Sequence, residues 1–312
     1  MEWLAYHREA FYCLQKDVDF IEIAFFDTGN SENTQFNISD KLQVCLGDIK
    51  SIFFRGGHIR PKKFYNYIAT PVSFEEHVRV FLHGYSVAQI EVVSRLLSRC
   101  FSIGKNGIGR FNKMTALLDA DSVGLTIPCS IVTTQKTDAL RFYATHSNII
   151  TKSFDNIFSY RDNANKTTLN QYTYLLSRAD LMALPETFPP TLFQEYIEKE
   201  YEIRVFVLLD EVYAIAVFSQ QQSNTQIDMR NYNMDNMNRY VPVQLPVNIT
   251  DSILKFMDKC GLNTGSIDLI RAKNGRYYFL EINPIGQFGY VSDACNYNLE
   301  YIIAKKLIAA YE

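Results

Sequence analysis

The hairpin predicted over residues 265–283 constrains the fold of this chain more than any other segment. Two apolar stretches, 265–270 and 277–282, flank a turn at 273–275 that contains an Asn-Gly pair. Such a pair between two apolar stretches is typical of a tight hairpin turn. The stretches are therefore predicted to be neighbouring antiparallel strands, which favours an α+β fold with antiparallel sheets over a doubly wound parallel sheet.

Three polar side chains in this hairpin indicate a metal site. Asp268 lies inside the first strand, and Glu281 and Asn283 end the second. Because alternate residues of a strand share one face, Glu281 and Asn283 point the same way, and the hairpin brings Asp268 to the same point. Two carboxylates and an amide oxygen suit Mg²⁺. The alternative is an exposed hairpin with ordinary acidic residues, although an acid inside an apolar strand needs a reason.

The rest of the chain has further helix and strand patterns. The predicted helices are 74–100, 112–120, 138–144, 251–260 and 299–310, and the predicted strands are 20–26, 51–55, 128–133, 148–152, 172–177, 192–197 and a hairpin over 202–218. Ser73 and Glu76 predict a capping box at the start of the longest helix. Residues 29–37 and 153–170 are polar and are predicted to be loops.

The length of 312 residues is too great for one ordinary core, so subdomains are expected. The patterns favour an N-terminal α/β subdomain over 1–110, a central subdomain over 111–190 and a C-terminal subdomain over 191–312. The C-terminal subdomain would carry the metal site.

Composition and charge argue against several functional classes. The formal net charge of −3 argues against a general nucleic-acid binder, which needs clustered Lys and Arg. The N-terminus is not typical of a signal peptide, and no apolar run approaches the roughly 18 residues of a membrane helix. The six cysteines are scattered without a CxxC pair, which argues against a zinc site and favours a reducing cytoplasm.

The order of several motifs resembles that of the ATP-grasp ligases. Asp268 followed by LEINPIGQ at 280–287 resembles the family's metal-binding end, and VGLTIPCSIVTT at 123–134 resembles its entry to the central subdomain. The resemblance covers essentially the whole chain, and the ordered set is more specific than any single motif. It implies an ATP-grasp fold that holds the nucleotide between antiparallel sheets. It also implies activation of a carboxyl group as an acyl phosphate.

The resemblance also implies a role for individual residues toward ATP and Mg²⁺. The cofactor-binding residues would be Lys113, Lys152, Gln194, Glu195, Tyr196, Ile197, Lys199 and Glu202. The segment 194–197 would hold adenine through backbone groups, and Glu202 would contact the ribose. The catalytic residues that support phosphate transfer would be Arg204 and Arg230, and the metal ligands would be Asp268, Glu281 and Asn283.

Two segments resemble a narrower group, the graspetide (microviridin-type) peptide maturases. These segments are FFRGGHIRP at 53–61 and NPIGQFGYVSDACNYNLEYIIAKKL at 283–307. Membership would imply a ribosomal precursor peptide, with leader and core parts, as the partner. Asp or Glu side chains of that peptide would be joined to Thr or Ser hydroxyls as esters, or to Lys as amides. Relatives of this group also suggest a homodimer.

The chain departs from the family pattern in two places, and several of its candidate residues have alternative roles. Residues 153–170 lack the glycines that cover the triphosphate in many relatives, and Arg55-Gly56 stands where some relatives have two arginines. The predicted lysines could instead be surface charges, and Glu202 and Arg204 could instead pair with each other on one strand face.

The alternative functions are an intermolecular amino-acid or peptide ligase and a non-catalytic nucleotide-binding scaffold. The complete metal set argues against the scaffold.

Overall fold

The computed structural model describes residues 1–7, 10–14, 20–39, 42–56, 59, 75–107, 111–146, 148–153, 159–162, 167–170, 173–218 and 239–310. The helices are α1 (Glu2–Tyr6), α2 (Glu75–Leu97), α3 (Lys113–Ser122), α4 (Lys136–His146), α5 (Arg178–Ala183), α6 (Val247–Lys259), α7 (Gly289–Cys295) and α8 (Leu299–Ala309). The strands are β1 (Ile21–Phe25), β2 (Gln35–Ile38), β3 (Leu42–Cys45), β4 (Ser51–Phe53), β5 (Phe101–Ile103), β6 (Ser130–Gln135), β7 (Ile149–Thr151), β8 (Ser159–Asp162), β9 (Thr167–Asn170), β10 (Tyr174–Leu176), β11 (Thr187–Glu195), β12 (Lys199–Leu208), β13 (Glu211–Phe218), β14 (Arg239–Pro242), β15 (Thr264–Ala272) and β16 (Tyr277–Asn283). None of the helices in these ranges is long and apolar enough to cross a membrane.

The backbone forms two compact units. Unit 1 comprises Met1–Gly109 with Asn298–Glu312, and unit 2 comprises Arg110–Tyr297. The final helix therefore groups with the N-terminal segment. The division into three subdomains remains a prediction.

Unit 1 contains the antiparallel sheet β1-β2-β3 and the parallel pair β4-β5. Alternate residues of β2, Phe36 and Ile38, point into the core, as the two-residue period of a strand requires. Helix α2 adds Val93 and Leu96 to the same apolar cluster. The predicted cap residue Ser73 lies outside the described residues.

Two segments that were predicted as loops contain strands, so those predictions are wrong in part. Strand β2 begins at Gln35, inside the segment 29–37, and β8 pairs with β9 inside the segment 153–170. The letters of β8 and β9, SYRD and TTLN, are almost entirely polar. Main-chain hydrogen bonds define such a hairpin, and an apolar pattern is not needed to form them.

Unit 2 contains two antiparallel sheets, with strand orders β10-β7-β11-β6 and β14-β13-β12-β15-β16. Helices α4 and α5 cover the first sheet, where Ala139, Leu181, Ile149 and Phe193 are buried together. The predicted α+β class with antiparallel sheets is confirmed.

Helix α6 covers one face of the five-stranded sheet. Its buried residues Ile253, Phe256 and Met257 have the spacing of one helix face. The Phe256 ring centroid lies 4.9 Å from that of Phe279 on β16. Phe279 pairs in register with Leu269, which is also buried. The opposite face carries Arg204 and Asp268 together with buried apolar residues such as Phe206.

Candidate active site

A bulge in β16 directs Glu281 to the face of the five-stranded sheet that carries Asp268. Asp268 pairs with Glu281, and the next pair is Leu269 with Phe279, so Leu280 is an extra residue. In a regular strand, Phe279 and Glu281 would share a face because they are two residues apart. The bulge separates them, so that Phe279 enters the apolar layer and Glu281 stands beside Asp268.

Two carboxylates and two cations form a row across this face. Arg204 pairs with Asp268 in register, with Nη1 and Oδ1 2.5 Å apart. On the other side, the Lys113 Nζ atom lies 3.0 Å from Oε2 of Glu281. Like charges placed directly opposite each other destabilise a sheet. Here each carboxylate has a cation of its own, which offsets that repulsion.

Lys113 links three elements of unit 2. Asn112 caps α3, because its Oδ1 accepts the N–H groups of Met114 at 2.9 Å and Thr115 at 3.2 Å. The first residue of the helix is thus fixed beside β16. Lys113 Nζ also donates to the Ser153 carbonyl at 3.3 Å, one residue after Lys152. The end of β7 therefore lies close to the Glu281 carboxylate, and the side chain of Lys152 is half-buried there.

Lys199 and Glu202 form a third, more deeply buried ion pair. The Lys199 side chain is 3% exposed and that of Glu202 is 12% exposed, and the ammonium contacts Oε1 of the acid. Lys199 is therefore not a surface charge. The alternative in which Glu202 pairs with Arg204 is not what the structure contains, because each has a different partner.

Tyr290 is a site residue that the sequence analysis did not single out. Its hydroxyl hydrogen-bonds the Arg204 guanidinium. Burial lowers the pKa of Arg204, but the neighbouring Asp268, Tyr290 and Glu281 raise it, and the net result is a raised pKa. Burial raises the pKa of Tyr290 to about 12, with Asp268 adding to the effect and Arg204 opposing it. At neutral pH, a charged Arg204 therefore lies against a neutral phenol.

The turn after β16 holds Asn283 in place. Its Oδ1 accepts the Ile285 N–H at 3.0 Å, and its carbonyl accepts the Gly286 N–H at 3.0 Å. A Cβ atom at Gly286 would lie 2.0 Å from Oγ of Ser266, so this position admits only glycine. The turn therefore packs tightly against β15, where Ser266 is the register partner of Asn283.

The donor set on this face fits Mg²⁺ by its chemistry. Asp268 and Glu281 supply carboxylate oxygens from adjacent strands, and Asn283 lies two residues beyond Glu281. An amide oxygen has two lone pairs, so Asn283 keeps one for a metal while it accepts from Ile285. Hard oxygen ligands with one or two carboxylates are those that Mg²⁺ prefers. The role of these three residues as ligands remains a prediction.

The segment predicted to hold adenine connects β11 to β12. Gln194 is 1% exposed, and its Nε2 donates to Oγ of Ser130 at 2.8 Å. The Tyr196 N–H donates to the Asn148 carbonyl at 3.0 Å, and Ile197 packs against a buried apolar cluster. Because the Gln194 and Ile197 side chains are engaged within the protein, a nucleotide role for this segment would use backbone groups other than the Tyr196 N–H. The predicted catalytic Arg230 lies outside the described residues.

The comparisons with known proteins identify the fold. No protein-family model and no curated protein sequence matches the chain. The chain has the ATP-grasp fold, because solved ATP-grasp ligases superpose on nearly all of it.

Several of these solved structures contain bound ligands, including the three that follow. A RiPP-associated ATP-grasp ligase from Chryseobacterium gregarium, in complex with ADP and a leader and core peptide, has a TM-score of 0.75 at 23% identity and covers 99% of this chain and 90% of its own. The macrocyclase MdnC from Microcystis aeruginosa, bound with the precursor peptide MdnA, has a TM-score of 0.70 at 22% identity, with coverage of 99% and 93%. The ATP-grasp ligase PsnB, with minimal precursor, Mg and ADP, has a TM-score of 0.67 at 16% identity, with coverage of 100% and 92%.

Proposed function

We propose that this chain is an ADP-forming ATP-grasp macrocyclase that acts on a ribosomal precursor peptide. It would activate Asp or Glu side chains as acyl phosphates and join them to Thr or Ser hydroxyls, or to Lys amines. The observation that carries the proposal is the row Arg204, Asp268, Glu281 and Lys113 on one face of the sheet. It combines cations that would bind phosphate with carboxylates that suit a metal.

The similar structures support the peptide as substrate. The ligases from Chryseobacterium and Microcystis match this chain over almost its full length, and each was solved with its peptide bound. A chain with this fold and this charged row has the parts for carboxylate activation. The leader and core parts of the peptide, and a homodimeric assembly, belong to the same proposal.

The first step would transfer the γ-phosphoryl group of ATP to a peptide carboxylate. A carboxylate oxygen attacks the γ-phosphorus, the bond to the β-phosphate oxygen breaks, and ADP leaves. Asp268, Glu281 and Asn283 would hold Mg²⁺, which neutralises charge on the phosphates when it is bound. Arg204 and Lys113 lie beside those carboxylates and would donate to phosphoryl oxygens. Because the planar Arg204 guanidinium has several donors, it suits the transferred group.

The second step would form the ester or amide. A hydroxyl oxygen or an amine nitrogen of the same peptide attacks the acyl carbon, and the carbon–oxygen bond to phosphate breaks. Inorganic phosphate leaves, and the nucleophile's proton passes to it or to water. Tyr290 would keep the Arg204 guanidinium oriented through both steps. Catalysis of this kind is mainly positioning and charge stabilisation.

Trapping of the acyl phosphate tests the proposed chemistry. The chain would be incubated with a candidate precursor peptide, ATP, Mg²⁺ and hydroxylamine, and the peptide and nucleotide products would be analysed by mass spectrometry. The expected result is a hydroxamate on an Asp or Glu side chain together with ADP. Release of AMP and pyrophosphate, or hydroxamate formation without ATP, would contradict the proposal.

Two other candidates make different predictions in the same assay. An intermolecular ligase would add the mass of an amino acid to the peptide when free amino acids are present. A nucleotide-binding scaffold would bind ATP without releasing ADP. The two ion pairs on the charged row favour a catalytic site, because a scaffold has no need for two carboxylates beside phosphate-binding cations.

A further inference from the structure

Three side chains of different chemistry meet at the end of β11, and none of them belongs to the charged row. They are Cys129, His146 and Glu195, and their Sγ, ring nitrogen and carboxylate oxygen atoms all lie within 4.8 Å of one another. Cys129 precedes β6, His146 ends α4, and Glu195 ends β11. The mechanism proposed above uses none of these three side chains.

The distances within this cluster suit a metal better than a hydrogen bond. The His146 Nδ1 atom lies 3.6 Å from Oε2 of Glu195, which is too long for a hydrogen bond. A tetrahedral ion with metal–nitrogen and metal–oxygen bonds of about 2.0–2.1 Å separates such ligand atoms by roughly 3.4 Å. The His146 and Glu195 atoms are therefore already close to the separation that such an ion requires, and the Cys129 Sγ atom lies within 4.8 Å of both. Because the Cys129 side chain is exposed, core packing does not oppose its rotation toward them.

The backbone of Cys129 orients the Glu195 carboxylate. Oε1 of Glu195 accepts the Cys129 N–H at 2.9 Å, which turns Oε2 toward His146. The Glu195 N–H in turn donates to the Cys129 carbonyl at 2.9 Å. A carboxylate that ligates a metal is commonly held by such an outer hydrogen bond.

We propose that Cys129, His146 and Glu195 bind a transition-metal ion of the Zn²⁺ type, with water as the fourth ligand. A thiolate and an imidazole select this class of ion and disfavour Mg²⁺, which prefers oxygen ligands. The site is therefore distinct in chemistry from the one predicted at Asp268 and Glu281. The ion would tie β6, α4 and β11 together where the chain enters residues 196–197. An effect of the ion on nucleotide binding would follow only if residues 194–197 hold adenine, so that effect rests on the proposed function. The metal site itself does not depend on that function.

Metal titration of the full-length, untagged chain tests this proposal. Chelator-treated protein would be titrated with Co²⁺ and with Zn²⁺ in excess Mg²⁺. The expected result is one ion for each chain and a thiolate-to-cobalt charge-transfer absorption. Cys129→Ser should abolish that absorption, and both Cys129→Ser and His146→Gln should weaken affinity by about tenfold or more.

The control variant is Cys13→Ser, because Cys13 is also exposed and lies outside the cluster. It should leave the absorption and the affinity unchanged, and thermal unfolding would verify that each variant is folded. The proposal is overturned if the wild type shows no charge-transfer absorption, or if Cys129→Ser binds Zn²⁺ as tightly as the wild type. Metal binding is measured without peptide or ATP, so failure of the macrocyclase assay would not alter this result.

Discussion

Asp268 and Glu281 face each other across β15 and β16, and each carboxylate is paired with a cation from a different element. Arg204 comes from the neighbouring strand, and Lys113 comes from the start of α3. Because two carboxylates repel each other in such a position, positive charge on both sides stabilises the row. Binding of a phosphate and a divalent cation would satisfy the same charges, which makes this row the centre of the proposed site.

Removal of one carboxylate charge should stop turnover without unfolding the chain. Glu281→Gln keeps the size of the side chain but replaces a charged carboxylate ligand with a neutral amide, so the rate of ADP release should fall by about 100-fold or more. The matched control is Glu198→Gln, because Glu198 and Lys273 are 64% and 67% exposed and form a surface pair at 3.2 Å. A folded Glu281→Gln variant with wild-type turnover would contradict the assignment.

The buried pair of Lys199 and Glu202 should show strong coupling. Lys199→Met removes the ammonium that contacts the buried Glu202 carboxylate and should destabilise the fold by about 3–5 kcal/mol. The double variant Lys199→Met with Glu202→Leu should recover much of that loss, since both buried charges are gone. Urea unfolding measures the cycle. If the losses in unfolding free energy of the two single variants simply added up in the double variant, the contact would have little energetic importance.

Nucleotide affinity separates the structural role of this pair from its predicted role toward ATP. The double variant should remain folded yet bind ATP more weakly than the wild type, because Glu202 is predicted to contact the ribose. Isothermal titration measures this affinity. Wild-type affinity in the stable double variant would show that the pair is purely structural.

Gly286→Ala should displace the turn that holds Asn283. The added Cβ would lie 2.0 Å from Oγ and 2.6 Å from the backbone nitrogen of Ser266, so the turn must shift. Overpacking of this kind costs about 1–3 kcal/mol, and the Mg²⁺ dependence of turnover should weaken as well. Adding Ser266→Gly should not rescue the variant, because the backbone clash remains. Gly289→Ala is the control, since open space surrounds that position.

Tyr290 should make stability depend on pH in the alkaline range. Its pKa is raised from 10.0 to about 12 in the folded chain, so the folded state holds the phenol proton more tightly than the unfolded state. That contribution is complete below pH 10 and is lost as the pH rises to about 12. Tyr290→Phe should therefore lose less stability than the wild type over this range. The assignment would be refuted if the free energy of unfolding depended on pH in the same way in the two proteins.

The sequence predicted the hairpin at 265–283 well, because turn chemistry and apolar patterns are local properties. It also placed Asp268 and Glu281 together, since cross-strand pairing follows from the turn. It could not reveal the bulge at Leu280, because an unpaired residue has no distinct composition. Nor could the sequence show that Lys199 is buried, since its burial depends on how β12 packs against its neighbours.

Other features depend on contacts between residues that are distant in sequence. Tyr290 on α7 contacts Arg204 on β12, which lies 86 residues earlier in the chain, and its closeness to the metal motif was its only sequence signal. The scattered cysteines argued against a zinc site, whereas the fold brings Cys129 next to His146. Short elements such as β3 and α5 contain too few residues for a periodic pattern to show.

The intact mass of a precursor peptide after incubation with the chain, ATP and Mg²⁺ tests the central claim most directly. The peptide to use is a short one rich in Thr, Asp and Glu that is encoded beside the gene for this chain. The peptide is expected to lose the mass of one water molecule for each ADP released, and Glu281→Gln should prevent the loss. A gain in mass by an amino acid, or an unchanged mass for every such neighbouring peptide, would contradict it.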